Sequence, residues 1–296
     1  MEGVIAVTPP LVCFVTFNRA GLIARNLAAL LNTTEDFELY IIDNNSQDDT
    51  WKFIESLKDD RIKCKKRFDL NRGVVYAINY ALSKRKKDQY FIHIDCDVYI
   101  KTKDWITQFM KVMNTFPEIG LLGVARDTLF QEKNISPKIV TKDGISYYQY
   151  HSVIGSCICL RPELFDYIGY FNEETCWADV DTSLRINRFT PYKTGFIQSI
   201  EIEQTQYVRC EQCMLKKQCT VLKKSMTCLD IHKSRHKHGE FAKKFRNKLS
   251  IYLSEVNAGK RTVYCASIHD PDSIRNHVYN KEWAEENFQF YIDYAN

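Results

Sequence analysis

Tyr90-Phe91-Ile92-His93-Ile94-Asp95-Cys96-Asp97 is the stretch on which the reading of this 296-residue chain turns. A short apolar run that stops at a carboxylate reads as a buried strand, and two carboxylates separated by one residue leave its end together. Hard divalent cations take carboxylate oxygens and keep positions open for phosphate oxygens, which is one use for such a pair. Capping a helix that starts near Thr102 is the other.

Upstream, apolar runs alternate with helical patterns, the mark of a sheet covered by helices. Residues 11–17 read as a first strand, and Asn18-Arg19-Ala20-Gly21 turns into a helix with Leu22, Ile23, Leu27, Leu30 and Leu31 at helical spacing. Residues 37–42 form the next strand. They run into Asp43-Asn44-Asn45-Ser46-Gln47-Asp48-Asp49-Thr50, turn and N-cap residues ahead of a helix carrying Trp51, Phe53, Ile54 and Leu57. A weaker strand spans 61–68 and a helix 74–82. Ligands bind outside the carboxyl ends of strands in open α/β sheets, so the polar clusters after three of these strands should converge on one crevice. Neither Gly-x-Gly-x-x-Gly nor Gly-x4-Gly-Lys-Ser/Thr occurs, which removes two common phosphate-cradling loops. Downstream, a helix is expected to close over 250–256, and Trp283, Phe288, Tyr291 and Ile292 form one face of a terminal helix.

Charge divides the chain. From 207 to 248 there are twelve Lys or Arg against three Asp or Glu, a local +9, which leaves 29 against 34, or −5, elsewhere. Cys210, Cys213, Cys219 and Cys228 fall within this basic stretch. With an odd total of eleven cysteines and no positively charged leader, this spacing points to a reducing, cytoplasmic setting and a metal clip rather than disulfides. A four-cysteine Zn2+ site would bring folding free energy to a segment too small for its own core, with an iron-sulfur cluster as the competing occupant. Twelve basic residues suit a polyanionic acceptor such as DNA, RNA or a phosphorylated glycan, although only Tyr207, Phe241 and Phe245 are available to stack on bases. No window is apolar enough to span a membrane.

Several segments in order carry a resemblance: Phe14-Val15-Thr16-Phe17-Asn18-Arg19; Ile41-Ile42-Asp43 through Thr50; Asn71-Arg72-Gly73; Asp95-Cys96-Asp97; Gly155-Ser156-Cys157-Ile158-Cys159-Leu160-Arg161; Ile168-Gly169-Tyr170-Phe171-Asn172-Glu173; and Ala178-Asp179-Val180-Asp181-Thr182-Ser183-Leu184-Arg185. Together they resemble family 2 glycosyltransferases of the GT-A fold over about residues 10–205, with the 155–161 and 168–173 segments on the acceptor side. The resemblance implies an α/β fold, a nucleotide-sugar-binding mixed sheet flanked by helices. It also implies a metal-dependent inverting hexosyl- or pentosyltransferase using a nucleotide-diphosphate sugar. Thr16, Asn18 and Arg19 would line the nucleotide pocket, Asp43 would accept from the uracil N3–H, and Asn71 and Gly73 would pack close to the nucleotide. Asp97 would hold Mn2+ or Mg2+ directly, with Asp95 nearer the ribose and metal waters. Asp179 would be the general base, desolvated by Trp177 and Val180. Ala178 stands where the family usually has glutamate, so Asp181 remains a second candidate. His232 would be a third metal ligand, with His236 and His238 as competitors.

The expected organisation is a transferase domain over 1–206, the zinc-binding basic module over 207–248 and a helical tail over 249–296. Two other readings compete. A sugar-nucleotide nucleotidyltransferase lacks support, because residues 16–21 carry no glycine-rich loop. A zinc-dependent nucleic-acid-binding protein with a degenerate transferase domain would show salt-dependent retention on DNA.

Overall fold

The computed structural model describes residues 8–125, 129–132, 134–175, 178–205, 210–213, 216–218, 227 and 240–295. Strand β1 (Leu11–Thr16) is buried at all six positions because it lies between β2 (Glu38–Asp43) and β4 (Phe91–Asp95). Both run parallel to it, and β3 (Ile62–Arg67) continues the parallel run to the sheet edge. Parallel neighbours require crossovers, and these are α1 (Ala20–Leu31), α2 (Thr50–Ser56) and α3 (Val74–Leu82). The expected strands and helices fall within one or two residues of these bounds. Lysines at Lys63, Lys65 and Lys66 occupy the edge strand, where charge discourages pairing with another chain.

Beyond β4 the sheet becomes mixed. The order is β3-β2-β1-β4-β9-β6-β10-β8-β7, with β6 (Ile119–Val124), β7 (Lys138–Lys142), β8 (Ile145–Gln149), β9 (Cys157–Leu160) and β10 (Lys193–Ile197). Strand β9 runs antiparallel to both β4 and β6. One face buries Ile23, Leu27, Trp105 and Phe109 under α1 and α4 (Trp105–Thr115); the other buries Val75, Ile78 and Ile186 under α3 and α7 (Ala178–Phe189). The short α5 (Leu129–Glu132) and α6 (Phe165–Ile168) sit in connections. Two three-residue strands, β5 (Val98–Ile100) and β11 (Ile202–Gln204), form a separate antiparallel ribbon. Three residues carry too little periodicity to announce a strand, so the sequence offers no sign of it.

The tail departs from its expected form. Helix α8 (Glu240–Asn257) runs through the expected boundary at 248/249, so the end of the basic stretch and the start of the tail are one helix. Two further helices follow, α9 (Pro271–Asn276) and α10 (Lys281–Ala295), and the segments before and between them bond to the body through buried polar groups. The Glu173 carboxylate accepts from Asn79 Nδ2 (2.9 Å), Ser267 Oγ (2.6 Å), Ile268 N (3.1 Å) and Tyr279 Oη (2.7 Å). Glu174 takes a bidentate pair from Arg261 at 2.8 and 2.9 Å. Buried carboxylates persist when their oxygens are satisfied: Glu174 is paired with Arg261, and Glu173 accepts four hydrogen bonds. On α10 Ala284, Asn287 and Phe288 are buried, and the Tyr291 ring lies against Gly73. No described helix is long and apolar enough to cross a membrane.

Gly73 has φ +89°, and a Cβ there would meet Tyr291 Cδ2 at 2.5 Å. The glycine therefore serves the turn and the tail helix. Gly73→Ala is expected to lower unfolding stability by about 1–3 kcal/mol, read by denaturant titration, through backbone strain and displacement of the ring.

Candidate active site

Parallel register sets the site. Thr16 pairs with Asp43 and Val15 with Asp95, so three strand ends bring their polar residues to one edge of the sheet. The loops after β1 and β2 are stitched together. Asn18, with φ +51°, donates its N–H to Ser46 Oγ (2.8 Å) and accepts from Gln47 N at Oδ1 (2.7 Å). Arg19 N donates to Thr50 Oγ1 (2.9 Å) and Ala20 N to Asp48 Oδ2 (3.2 Å). The first amides of a helix have no partner within it, and Arg19 at the cap position of α1 supplies none. Asp48 therefore caps the first amide of α1, and Ser46 and Thr50 hold the two residues that lead into it, while the run 46–50 also opens its own helix.

Asp43 is fully buried. Its Oδ2 accepts from Ser46 N (3.1 Å), the Ser46 hydroxyl donates to Oδ1, and Arg67 Nε lies 3.5 Å from Oδ2. Burial pushes its carboxyl up from the usual range against the Ser46 bonds. A carboxylate offers about four acceptor positions, and these contacts take up three of them. Asn71 Oδ1 accepts from Gly73 N (2.9 Å), and Asn44 Nδ2 donates to Gly73 O (3.3 Å). Gly73 itself is closely approached by the Tyr291 ring of the tail helix.

Asp95 ends β4 and Asp97 follows in the turn to β5. They do not cap α4, whose N-cap position is Asp104. His93 Nε2 lies 3.0 Å from Asp95 Oδ1. The carboxyl of Asp97 is pushed up to about 7, by burial first and by the Asp95 charge second, while the Arg19 guanidinium opposes the shift. Two carboxylates in such surroundings are stabilised by a proton or a cation.

On the far side, Asp179 sits half-buried in the first turn of α7, accepting from Gly155 N at Oδ2 (3.2 Å) and Val180 N at Oδ1 (2.8 Å). A Cβ on Gly155 would lie 3.0 Å from Asp179 Cβ, so the missing side chain makes room for this contact. The next residue, Ser156, accepts the Asp95 amide at its carbonyl (2.8 Å). Asp181 has a different environment: both it and Arg185 are fully enclosed, and Arg185 Nε donates to Asp181 Oδ2 at 3.0 Å.

Cys210 and Cys213 are joined by a turn in which Cys213 N donates to Cys210 O (3.3 Å). Cys219, Cys228, His232, His236 and His238 lie outside the described residues, as does Trp177. Among the described residues, no group of three or more His, Cys, Asp or Glu side chains is gathered to hold a metal. His93 and Gly155 were not singled out from the sequence. The first was legible, since residues two apart on a strand share a face and His93 precedes Asp95 by two. The second depends on a contact 24 residues away and carries no local signal.

The family model for glycosyl transferase family 2 matches residues 11–169. The chain is similar to the UDP-Glc:alpha-D-GlcNAc-diphosphoundecaprenol beta-1,3-glucosyltransferase WfaP of Escherichia coli, 39% identical over 107 residues that cover 36% of this chain and 40% of that protein. It is also similar to the O-antigen biosynthesis protein RfbC of Myxococcus xanthus, 24% identical over 61% of this chain and 16% of that protein. The matches thus span two fifths or less of these relatives' own length. Among solved structures, the mannosyltransferase PcManGT from Pyrobaculum calidifontis in complex with GDP-Man and Mn2+ has a TM-score of 0.54 at 15% identity, over 98% of this chain and 86% of that one. GalNAc-T7 with UDP, GalNAc and Mn2+ also has a TM-score of 0.54, at 14% identity, over 67% of this chain and 44% of that one. At these identities the likeness is one of fold.

Proposed function

Because the chain belongs to glycosyl transferase family 2, we propose that it is an inverting, metal-dependent transferase moving a sugar from a uridine diphosphate sugar to an acceptor hydroxyl. The observation that carries this reading is the pair Gly155–Ser156: one amide engages the Asp179 carboxylate and the next carbonyl engages the Asp95 amide. Consecutive residues thereby link a candidate base to a candidate cation-binding turn, as transfer between a leaving diphosphate and an attacking hydroxyl requires.

Asp179 takes the proton from the acceptor hydroxyl as its oxygen attacks the anomeric carbon. Thr16, Asn18 and Arg19 line the nucleotide, and Asp43 accepts from the base. The donor set of Asp95 and Asp97 fits a divalent cation: carboxylate oxygens with positions left for diphosphate oxygens, and an Asp97 carboxyl pushed up by burial and then by the Asp95 charge, which a cation would offset. When bound there, Mn2+ or Mg2+ supplies charge compensation to the departing diphosphate. His232 would complete the set. UDP as donor nucleotide is supported by the E. coli relative, whose name specifies UDP-Glc.

For the acceptor, the basic stretch 207–248 fits a phosphate-bearing molecule, and the relative's diphosphate-linked sugar is of that class. Cys210, Cys213, Cys219 and Cys228 would hold Zn2+ in that stretch. Buried thiols at Cys13, Cys157, Cys159 and Cys265, none in a disulfide, fit a reducing, cytoplasmic setting.

Thermal unfolding with nucleotide tests the pocket. UDP at about 100 times its Kd with Mn2+ is expected to stabilise the wild type by about 2.7 kcal/mol. Asp97→Asn should lose that gain, and GDP should give less. Equal stabilisation by UDP without metal, or full retention in Asp97→Asn, would overturn the reading.

A further inference from the structure

The turn that carries Asp95 and Asp97 is gripped from outside the crevice. Asn26, buried on α1, donates Nδ2 to Cys96 O at 2.7 Å. The carbonyl of Asp97 accepts from both Thr205 N (3.1 Å) and Thr205 Oγ1 (3.2 Å). Thr205 follows β11, and in the β5–β11 ribbon Glu203 lies directly opposite Tyr99. Opposed residues of an antiparallel pair project to the same face, and α1 packs there. Arg25, next to Asn26, makes a bidentate pair with Glu203 at 2.8 and 3.2 Å and holds its guanidinium 3.9 Å from the centre of the Tyr99 ring. The contacts close a circuit from α1 to Cys96, Asp97, Thr205, Glu203 and back to α1 through Arg25.

Two neighbouring carboxylates repel each other, and a bare turn relaxes by splaying them apart. We propose that Arg25, Asn26, Glu203 and Thr205 are positioning residues that hold the Asp95–Asp97 turn in the shape that presents both carboxylates to a divalent cation and a nucleoside diphosphate. This inference rests on the reading of Asp97 as a metal ligand. None of the four touches the cation or the donor; they act through the backbone on which the carboxylates stand. The Arg25–Glu203 pair is partly exposed, with side chains 19% and 30% accessible, so its loss should barely change global stability. What it changes is the register of the ribbon, and with it the place of Asp97.

Calorimetric titration of UDP into the full chain over a series of Mn2+ concentrations separates the possibilities. Glu203→Gln and Thr205→Val are each expected to weaken the apparent Mn2+ affinity about tenfold, the loss typical for residues that orient metal ligands, while metal-free UDP binding and the melting midpoint stay near wild type. If both variants bind Mn2+ and UDP as the wild type does while Asp97→Asn does not, the positioning role is wrong and the metal site stands. If Asp97→Asn also retains wild-type Mn2+-dependent binding, the reading of the metal site falls and the inference falls with it.

Discussion

Asp179→Asn is expected to lower kcat by about 10²- to 10⁴-fold while leaving the donor KM unchanged, the range typical for removing a general base. The substitution isolates basicity from shape. Among the described residues Asp179 accepts from the backbone N–H groups of Gly155 and Val180, and a carboxamide oxygen can still accept from Gly155. The Gly155 bond therefore survives while the Val180 amide in the first turn loses its acceptor, a small cost that thermal melting measures. What disappears is the carboxylate that takes the acceptor proton. Because proton removal belongs to the attack and not to donor capture, the loss should appear in kcat rather than in nucleotide binding. Steady-state transfer kinetics decide the matter: a kcat within tenfold of wild type would remove Asp179 from the base role.

Much of the donor side was legible because its signals are local. Strand β1 ends within a residue of the expected position, α3 has the expected 74–82 bounds, and the polar runs after β1, β2 and β4 meet at one sheet edge as their positions require. The misses share a cause, in that each depends on distant partners. Gly73 reads as a turn residue or a close approach to ligand, yet its missing side chain makes room for Tyr291 more than two hundred residues away. Asn172-Glu173 reads as an acceptor-side motif, and in the fold the Glu173 carboxylate also gathers the tail through Ser267, Ile268 and Tyr279. No periodicity forecasts a buried carboxylate collecting four donors. Ser46 and Asp48 read as caps for the helix that follows them; that Ser46 also holds the Asn18 amide and Asp48 the first amide of α1 is visible only once β1 and β2 are adjacent.

Asp181 and Arg185 carry the second large effect, on stability. Both side chains are fully enclosed, and the guanidinium also donates to Ile168 O (2.7 Å) and Tyr170 O (3.0 Å). Those two carbonyls flank Gly169, where the chain pairs with Cys265 of the tail, so Arg185 ties α7 to the seam between body and tail. Removing one member of a buried ion pair strands the other in a low-dielectric interior, which typically costs about 3–5 kcal/mol. Asp181→Asn leaves the guanidinium with neutral acceptors only; Arg185→Met leaves a carboxylate whose burial already pushes its pKa up. Each single variant should lower the unfolding free energy by that amount, read by denaturant titration. The double variant Asp181→Leu with Arg185→Met should recover most of the loss, because a well-packed apolar pair of similar volume often matches a buried ion pair. The same variants complete the test of the base. Asp181→Asn should keep kcat per folded molecule near wild type, since its carboxylate is committed to Arg185 and closed to an acceptor hydroxyl. If it instead loses kcat at unchanged stability, Asp181 takes the base role and Asp179 becomes the residue that holds Gly155.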